Sequence, residues 1–125
     1  MGRILAIDYG TKRLGVSLSD ETKTIAIPKP YIATSQKEKL LDLIKENYVE
    51  EILLGLPKSL SGEETKSAKA VRKFESWLAR NTNLPIKLID ERLTTKEVLR
   101  ETKNKNLVDS LVAQRMLARY LDQNF

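Results

Sequence analysis

The chain reads as an α/β protein with a five-stranded mixed sheet flanked by helices. Three observations lead there: short apolar runs that stop at acidic residues, an early set of strands joined by turns, and a later alternation of strand and helix. Arg3 to Asp8 is the first strand, because Ile4-Leu5-Ala6-Ile7 offers no polar face and suits a strand covered on both sides. Gly15 to Ser19 alternates as a second strand with Val16 and Leu18 inward. Thr24 to Thr34 is a third, carrying Ile25, Ile27, Tyr31 and Ile32, but Pro28 and Pro30 lack backbone donors and make it an edge strand or an irregular one. These three form an antiparallel meander.

Helices then alternate with strands. Ser35 with Glu38, Ser61 with Glu64, and Thr94 with Glu97 each have capping-box spacing, in which a hydroxyl and a glutamate satisfy amides at a helix start. The first helix, about 36 to 48, would bury Leu40, Leu41, Ile44 and Tyr48; Glu51 to Leu56 is the fourth strand, stopped by Pro57. The second helix, about 62 to 81, sets Ala70, Val71, Phe74, Trp77 and Leu78 on one stripe, and Ile86 to Asp90 is the fifth strand. Right-handed crossovers place strands one, four and five parallel and side by side. The last helix, about 107 to 122, is apolar around much of its girth and needs burial, while the polar Lys103 to Asn106 before it reads as a loop.

With 125 residues and 14.2 kDa, the expected organisation is a single domain over residues 1–125, large enough for a core without disulfide or metal staples. No apolar run approaches the roughly 18 residues of a membrane span, and the N-terminal apolar stretch is too short for a signal peptide, so cytoplasm is the expected location. The chain has no cysteine and no histidine, which removes thiolate zinc sites and the usual general base; a metal would have to sit on oxygen. Twenty-two Lys and Arg against 17 Asp and Glu give a net charge of +5, consistent with a polyanionic partner.

Strands one, four and five would end at one edge of the sheet, where open α/β sheets carry their sites. The loops there hold Asp8, Lys12, Arg13, Gly55, Lys58, Asp90, Glu91, Arg92 and Lys96, with acid and base interleaved. Asp109, in the first turn of the last helix, shares a face with Val112, Ala113 and Met116. Each acid alone has an ordinary structural role open to it: an Asx turn for Asp8, a surface ion pair with Arg92 for Asp90 or Glu91, a helix-dipole contact for Asp109. Gathered together they would repel unless a cation held them ionised, and carboxylate-only ligands suit Mg²⁺ or Mn²⁺. Adjacent residues on a strand face opposite ways, so Asp90 and Glu91 do not both enter one site, and periodicity leaves the choice open. No Walker loop, dinucleotide fingerprint or Gly-x-Ser-x-Gly elbow is present. Lys66, Lys69, Lys73 and Arg80 line one side of the second helix, as a solvated face or a track for a phosphate backbone.

Four segments carry a specific resemblance: Asp8-Tyr9-Gly10-Thr11-Lys12-Arg13-Leu14-Gly15-Val16-Ser17, Leu54-Gly55-Leu56-Pro57 with Gly62, Asp90-Glu91-Arg92-Leu93-Thr94-Thr95, and Asp109-Ser110-Leu111-Val112-Ala113. In order and spacing the chain resembles the YqgF (RuvX) family, bacterial proteins of the RNase H-like fold related to Holliday junction resolvases and regarded as nucleases maturing the 5′ end of pre-16S ribosomal RNA. The resemblance implies strand order 3-2-1-4-5. It also implies that Asp8, Glu91 and Asp109 are the catalytic, metal-binding acids, which favours Glu91 over Asp90, and that Arg13 and Arg92, with Thr95, face the phosphates. Lys58-Ser59-Leu60-Ser61-Gly62 departs from the family's more acidic loop and, with Lys12, makes the substrate rim basic.

The expected activity is therefore Mg²⁺- or Mn²⁺-dependent phosphodiester hydrolysis. One ion on Asp8 and Asp109 would activate water, and a second through Asp8 and Glu91 would stabilise the leaving oxygen. The expected partner is precursor rRNA, free or within pre-ribosomal particles, with no membrane. Alternatives are a dimeric junction resolvase acting on structured DNA, a non-catalytic RNA-binding assembly factor, and an actin-type ATPase, which would need a second such domain.

Overall fold

The computed structural model describes residues 2–56, 66–90 and 105–124. Within them the strands are β1 (Arg3–Asp8), β2 (Arg13–Ser19), β3 (Ala26–Ala33), β4 (Val49–Leu56) and β5 (Ile86–Asp90), and the helices are α1 (Lys39–Glu46), α2 (Lys66–Asn81) and α3 (Lys105–Asn124). The sheet order is β3-β2-β1-β4-β5, with β1 antiparallel to β2, β2 antiparallel to β3, and β1, β4 and β5 parallel. The meander and the crossovers stand as the sequence predicts, and β1 and β5 keep their expected bounds. No helix among the described residues is long and apolar enough to cross a membrane.

Alternation along β1 divides the core in two. Leu5 and Ile7 join Leu14, Val16, Leu18, Ile52 and Leu54 under α1 and α2, where Leu40, Ile44, Val71, Phe74 and Leu78 cover them. Ile4 and Ala6 face the other way, with Leu53, against Ala113, Met116, Leu117 and Leu121 of α3. Burying one Leu or Ile side chain fully contributes about 1.5–3 kcal/mol, so each helix layer is held mainly by these contacts. Because α3 covers β2 as well, Ser17 and Ser19 are buried along with Val16 and Leu18. Their hydroxyls are satisfied: Ser17 Oγ donates to the Ile27 carbonyl at 2.9 Å, and Ser19 Oγ accepts from the Ile4 N–H at 2.8 Å.

Four expectations are corrected. The Ser35–Glu38 capping box does not form: Thr34–Gln36 is a 3₁₀ turn, Glu38 itself is the N-cap with helical angles, and no side-chain cap bond is made. Tyr48 lies beyond α1, not in it. With φ at 52° it takes the left-handed conformation that turns the chain into β4, and its ring is 76% exposed instead of buried. Lys105 and Asn106, read as loop, begin α3, so the helix starts before Leu107. Ile25 precedes β3 and is exposed, while the strand is both an edge and irregular: between the pairs Leu14↔Ile32 and Val16↔Lys29, Pro30 and Tyr31 oppose Gly15 alone, a β-bulge. The capping boxes at Ser61 and Thr94 lie outside the described residues.

Candidate active site at the carboxyl edge of the sheet

β1, β3, β4 and β5 end at one edge of the sheet and β2 begins there. Asp8 is the last residue of β1, the central strand, and lies opposite Gly15 of β2. It is half-buried and continues the phase of Ile4 and Ala6, so it leaves the strand on the side covered by α3. Tyr9 goes to the opposite side and packs on the core beneath α2, its ring 5.1 Å from that of Phe74.

The turn that carries these residues is tied down at two points. Thr34 Oγ1 donates to the Gly10 carbonyl at 2.7 Å, and the Thr34 N–H donates to the Lys12 carbonyl at 2.9 Å. A Cβ on Gly10 would come within 2.5 Å of the Arg13 carbonyl oxygen, so this backbone approach requires glycine. The result is a compact turn that holds Asp8 without a flexible loop.

Lys12 is exposed on this turn. Arg13 opens β2 opposite Ala33, with its guanidinium 5.6 Å from the centre of the Tyr31 ring. Asp8, Lys12 and Arg13 thus flank one turn.

The start of α3 reaches the same place. Ser110 is buried, and its Oγ accepts a long hydrogen bond, 3.4 Å, from the Val16 N–H, next to the bulge in the β2–β3 ladder. Val16 adjoins Gly15, which lies opposite Asp8, so the helix turn bearing Asp109 stands beside the end of β1. Val112, Ala113 and Met116, the residues predicted to share a face with Asp109, are all buried.

Glu91, Arg92, Thr95 and Lys58 lie outside the described residues. Among the described residues no group of three Asp, Glu, His or Cys side chains gathers to hold a metal ion. The donor chemistry at hand is nevertheless all-oxygen, which fits a hard divalent ion and no softer one.

Sequence reasoning missed Thr34 and Ser110, the two hydroxyls that hold the site's frame. Ser110 carried a faint signal, as a polar residue beside Asp109 at the sheet-facing edge of an apolar helix. Thr34 carried none, since its partner is 24 residues away.

A sequence profile of the RuvX family, described as Holliday junction resolvase, matches residues 2–123. Among curated relatives, a protein of Maridesulfovibrio salexigens is 36% identical, over 95% of this chain and 97% of its own. One from Sulfurihydrogenibium sp. is 39% identical, over 98% and 92%. A Rickettsia peacockii protein is also 39% identical, over 95% and 85%. All three bear the name "Putative pre-16S rRNA nuclease". Among solved structures, T. thermophilus RuvC in complex with a Holliday junction substrate aligns with a TM-score of 0.60 at 13% identity, over 98% of this chain and 95% of that one. Fowlpox virus resolvase with its junction DNA aligns at 0.59 and 11%, over 97% of each. At these identities the likeness to solved structures is one of fold, and it agrees with the RNase H-like architecture. With residues 2–123 matched by the family profile and curated relatives 36–39% identical over at least 95% of its length, the chain belongs to the RuvX family of nucleases.

Proposed function

We propose that this chain is a divalent-metal-dependent endonuclease that hydrolyses phosphodiester bonds, with the 5′ end of pre-16S rRNA as its substrate. The observation that carries the reading is the position of Asp8: a half-buried carboxylate at the end of the central strand, on the side of the sheet where the first turns of α3 arrive. Asp8, Glu91 and Asp109 would hold the ion or ions. The choice of Glu91 follows the family resemblance of Asp90-Glu91-Arg92-Leu93-Thr94-Thr95. A bound Mg²⁺ or Mn²⁺ supplies Lewis acidity for the phosphoryl oxygens and an acidified water.

The remaining work belongs to the chain's own residues. The turn locked by Thr34 and Gly10 fixes the backbone that carries Asp8 before substrate arrives, which lowers the ordering cost of the reaction. Arg13 offers a planar guanidinium to phosphate oxygens, and Lys12 adds positive charge at the rim. With no histidine in the chain, paired imidazoles are absent, and the expected products carry a 5′ phosphate and a 3′ hydroxyl.

The test is cleavage of precursor rRNA, naked and within pre-ribosomal particles, by wild type beside Asp8→Asn. Cleavage by wild type in Mg²⁺ or Mn²⁺, lost in the variant with RNA binding retained, is the expected result. Binding without turnover by wild type on either substrate would leave a non-catalytic assembly factor instead. The family description favours a second reading, resolution of DNA junctions, which requires two active sites facing two strands. A monomer by light scattering, or intact junctions after incubation, removes it.

A further inference from the structure

Across β1 from Asp8, on the α1 and α2 side, lies a cavity of about 180 Å³ lined by Tyr9, Thr34, Lys37, Ala70, Lys73 and Phe74. We propose that this notch binds the sugar–phosphate backbone of single-stranded nucleic acid immediately beside the bond cut at Asp8. The proposal rests on the nuclease reading for what is cut, but not for what is bound.

Four observations carry it. Two lysines from different elements, one before α1 and one on α2, stand at a single small cavity, and no acid is among its described lining residues. Its interior is aromatic, and the rings continue as a row. Tyr9 and Phe74 are 5.1 Å apart, and Phe74 stacks on Trp77 at 5.7 Å with 21° between planes. Lys37 Nζ lies 4.8 Å over the Trp77 ring, which holds this cation close to the aromatic row without neutralising it. Finally, Tyr9 follows Asp8 directly in the chain, so a strand crossing the carboxyl edge meets both.

Cations beside an apolar aromatic floor are how proteins hold the backbone of single strands without base readout; here the buried Phe74 forms the floor and the two lysines supply the phosphate contact. The volume suits one sugar or phosphate, well short of the roughly 300 Å³ at which small-molecule pockets begin. A larger cavity, about 440 Å³, opens at the opposite end of the sheet between Leu41, Ile44, Tyr48 and Leu84, but Lys45 is the one cation among its described lining residues. That contrast supplies a control.

The experiment measures binding of a short single-stranded RNA by fluorescence anisotropy across a salt series, with EDTA present so that no strand is cut. Lys37→Ala with Lys73→Ala is expected to weaken binding roughly tenfold and to flatten the log–log salt slope by about 0.7 for each phosphate released. Lys37→Arg with Lys73→Arg is expected to keep both values, and Lys45→Ala to change neither. One neutral methylphosphonate linkage, moved along the RNA, should cost wild type affinity at a position beside the cleavage site and cost the double alanine variant nothing there. Wild-type affinity and slope in a double alanine variant of wild-type Tm would overturn the proposal, even if the protein cleaves RNA. An equal loss from Lys45→Ala would overturn it too, as a general charge effect. Should wild type fail to cleave while the double variant still loses binding, the nuclease reading falls and the notch stands.

Discussion

At the amino end of the sheet, three cations are matched by carboxylates. Arg3 lies 3.6 Å from Glu21, Lys23 pairs with Glu50, and Lys87 sits 3.7 Å from Glu51 while donating to the Tyr120 hydroxyl at 2.7 Å; that hydroxyl donates in turn to Glu51 at 2.6 Å. Asp20 accepts from the hydroxyls of Thr22 and Thr24 and from the N–H groups of Thr24 and Ile25, and so closes the β2–β3 turn. At the carboxyl end, Arg13 lies over Tyr31 and Lys37 over Trp77, and Lys12 and Lys73 are exposed. A cation held by a ring keeps its full charge, and a phosphate can take it over at little cost. A cation already paired with a carboxylate would first have to give that partner up. The difference concerns the cations named: Arg3, Lys23 and Lys87 face carboxylates and secure the fold, whereas Lys37 lies on a ring and Lys73 is exposed beside it, open to a polyanion.

That contrast breaks most sharply if the same loss of charge has the same effect at both ends. Asp8→Asn is expected to reduce cleavage by about 10³-fold or more, as removal of several kcal/mol of charge stabilisation requires. Glu51→Gln, at the amino end, should leave the cleavage rate near wild type while lowering Tm, because it breaks the link to Lys87 and Tyr120. Steady-state cleavage and thermal melting of both variants decide the point. Comparable loss of cleavage in Glu51→Gln would abolish the distinction.

The next largest effect concerns backbone. Gly10→Ala forces its methyl against the Arg13 carbonyl, and the expected destabilisation is about 1–3 kcal/mol by denaturant unfolding, accompanied by loss of cleavage as the Asp8 turn shifts. Ser110→Ala removes the acceptor for the buried Val16 N–H. The expected cost is about 1 kcal/mol, with cleavage impaired more than at a site of equal cost far from the edge, because α3 loses a tie beside Asp8.

The smallest effect is a pH dependence of the amino end. Hydrogen bonds from Thr22, then from the Ile25 and Thr24 amides, hold the Asp20 carboxyl well below the usual range. A carboxyl depressed on folding contributes stability that is present above its unfolded pKa of about 3.9 and is lost as pH falls further. The stabilities of wild type and Asp20→Asn should therefore differ by a constant amount above about pH 4 and converge progressively as pH falls below it. Lys87 is raised, by the Tyr120 hydroxyl first and Glu51 next, so its contribution is complete below about pH 10.4 and fades above it.

Much of the fold is legible in the chain's periodicities. The apolar run of Ile4 to Ile7 names a central strand, prolines 28 and 30 name an edge, and strand–helix–strand spacing names parallel crossovers. Asp8 at a strand exit is legible for the same reason. Where sequence reasoning misleads, local signals compete with tertiary ones. Ser35 and Glu38 have capping spacing, but the chain takes a 3₁₀ turn from Thr34, whose hydroxyl is committed to Gly10. Tyr48 continues a helical stripe in sequence, yet the entry into β4 demands a reversal there, and a left-handed residue turns its ring to solvent.

By itself, then, the sequence determined the strand set, the parallel core and the acidic exit of β1, because periods of two and of three to four residues are properties of contiguous chain. Only the tertiary structure decided that α3 stands against Asp8 through Ser110 and Val16, and that Tyr9, Lys37, Lys73 and Phe74 share one notch. Those meetings join residues up to 94 positions apart, and period alone cannot say which helix covers which face of a sheet.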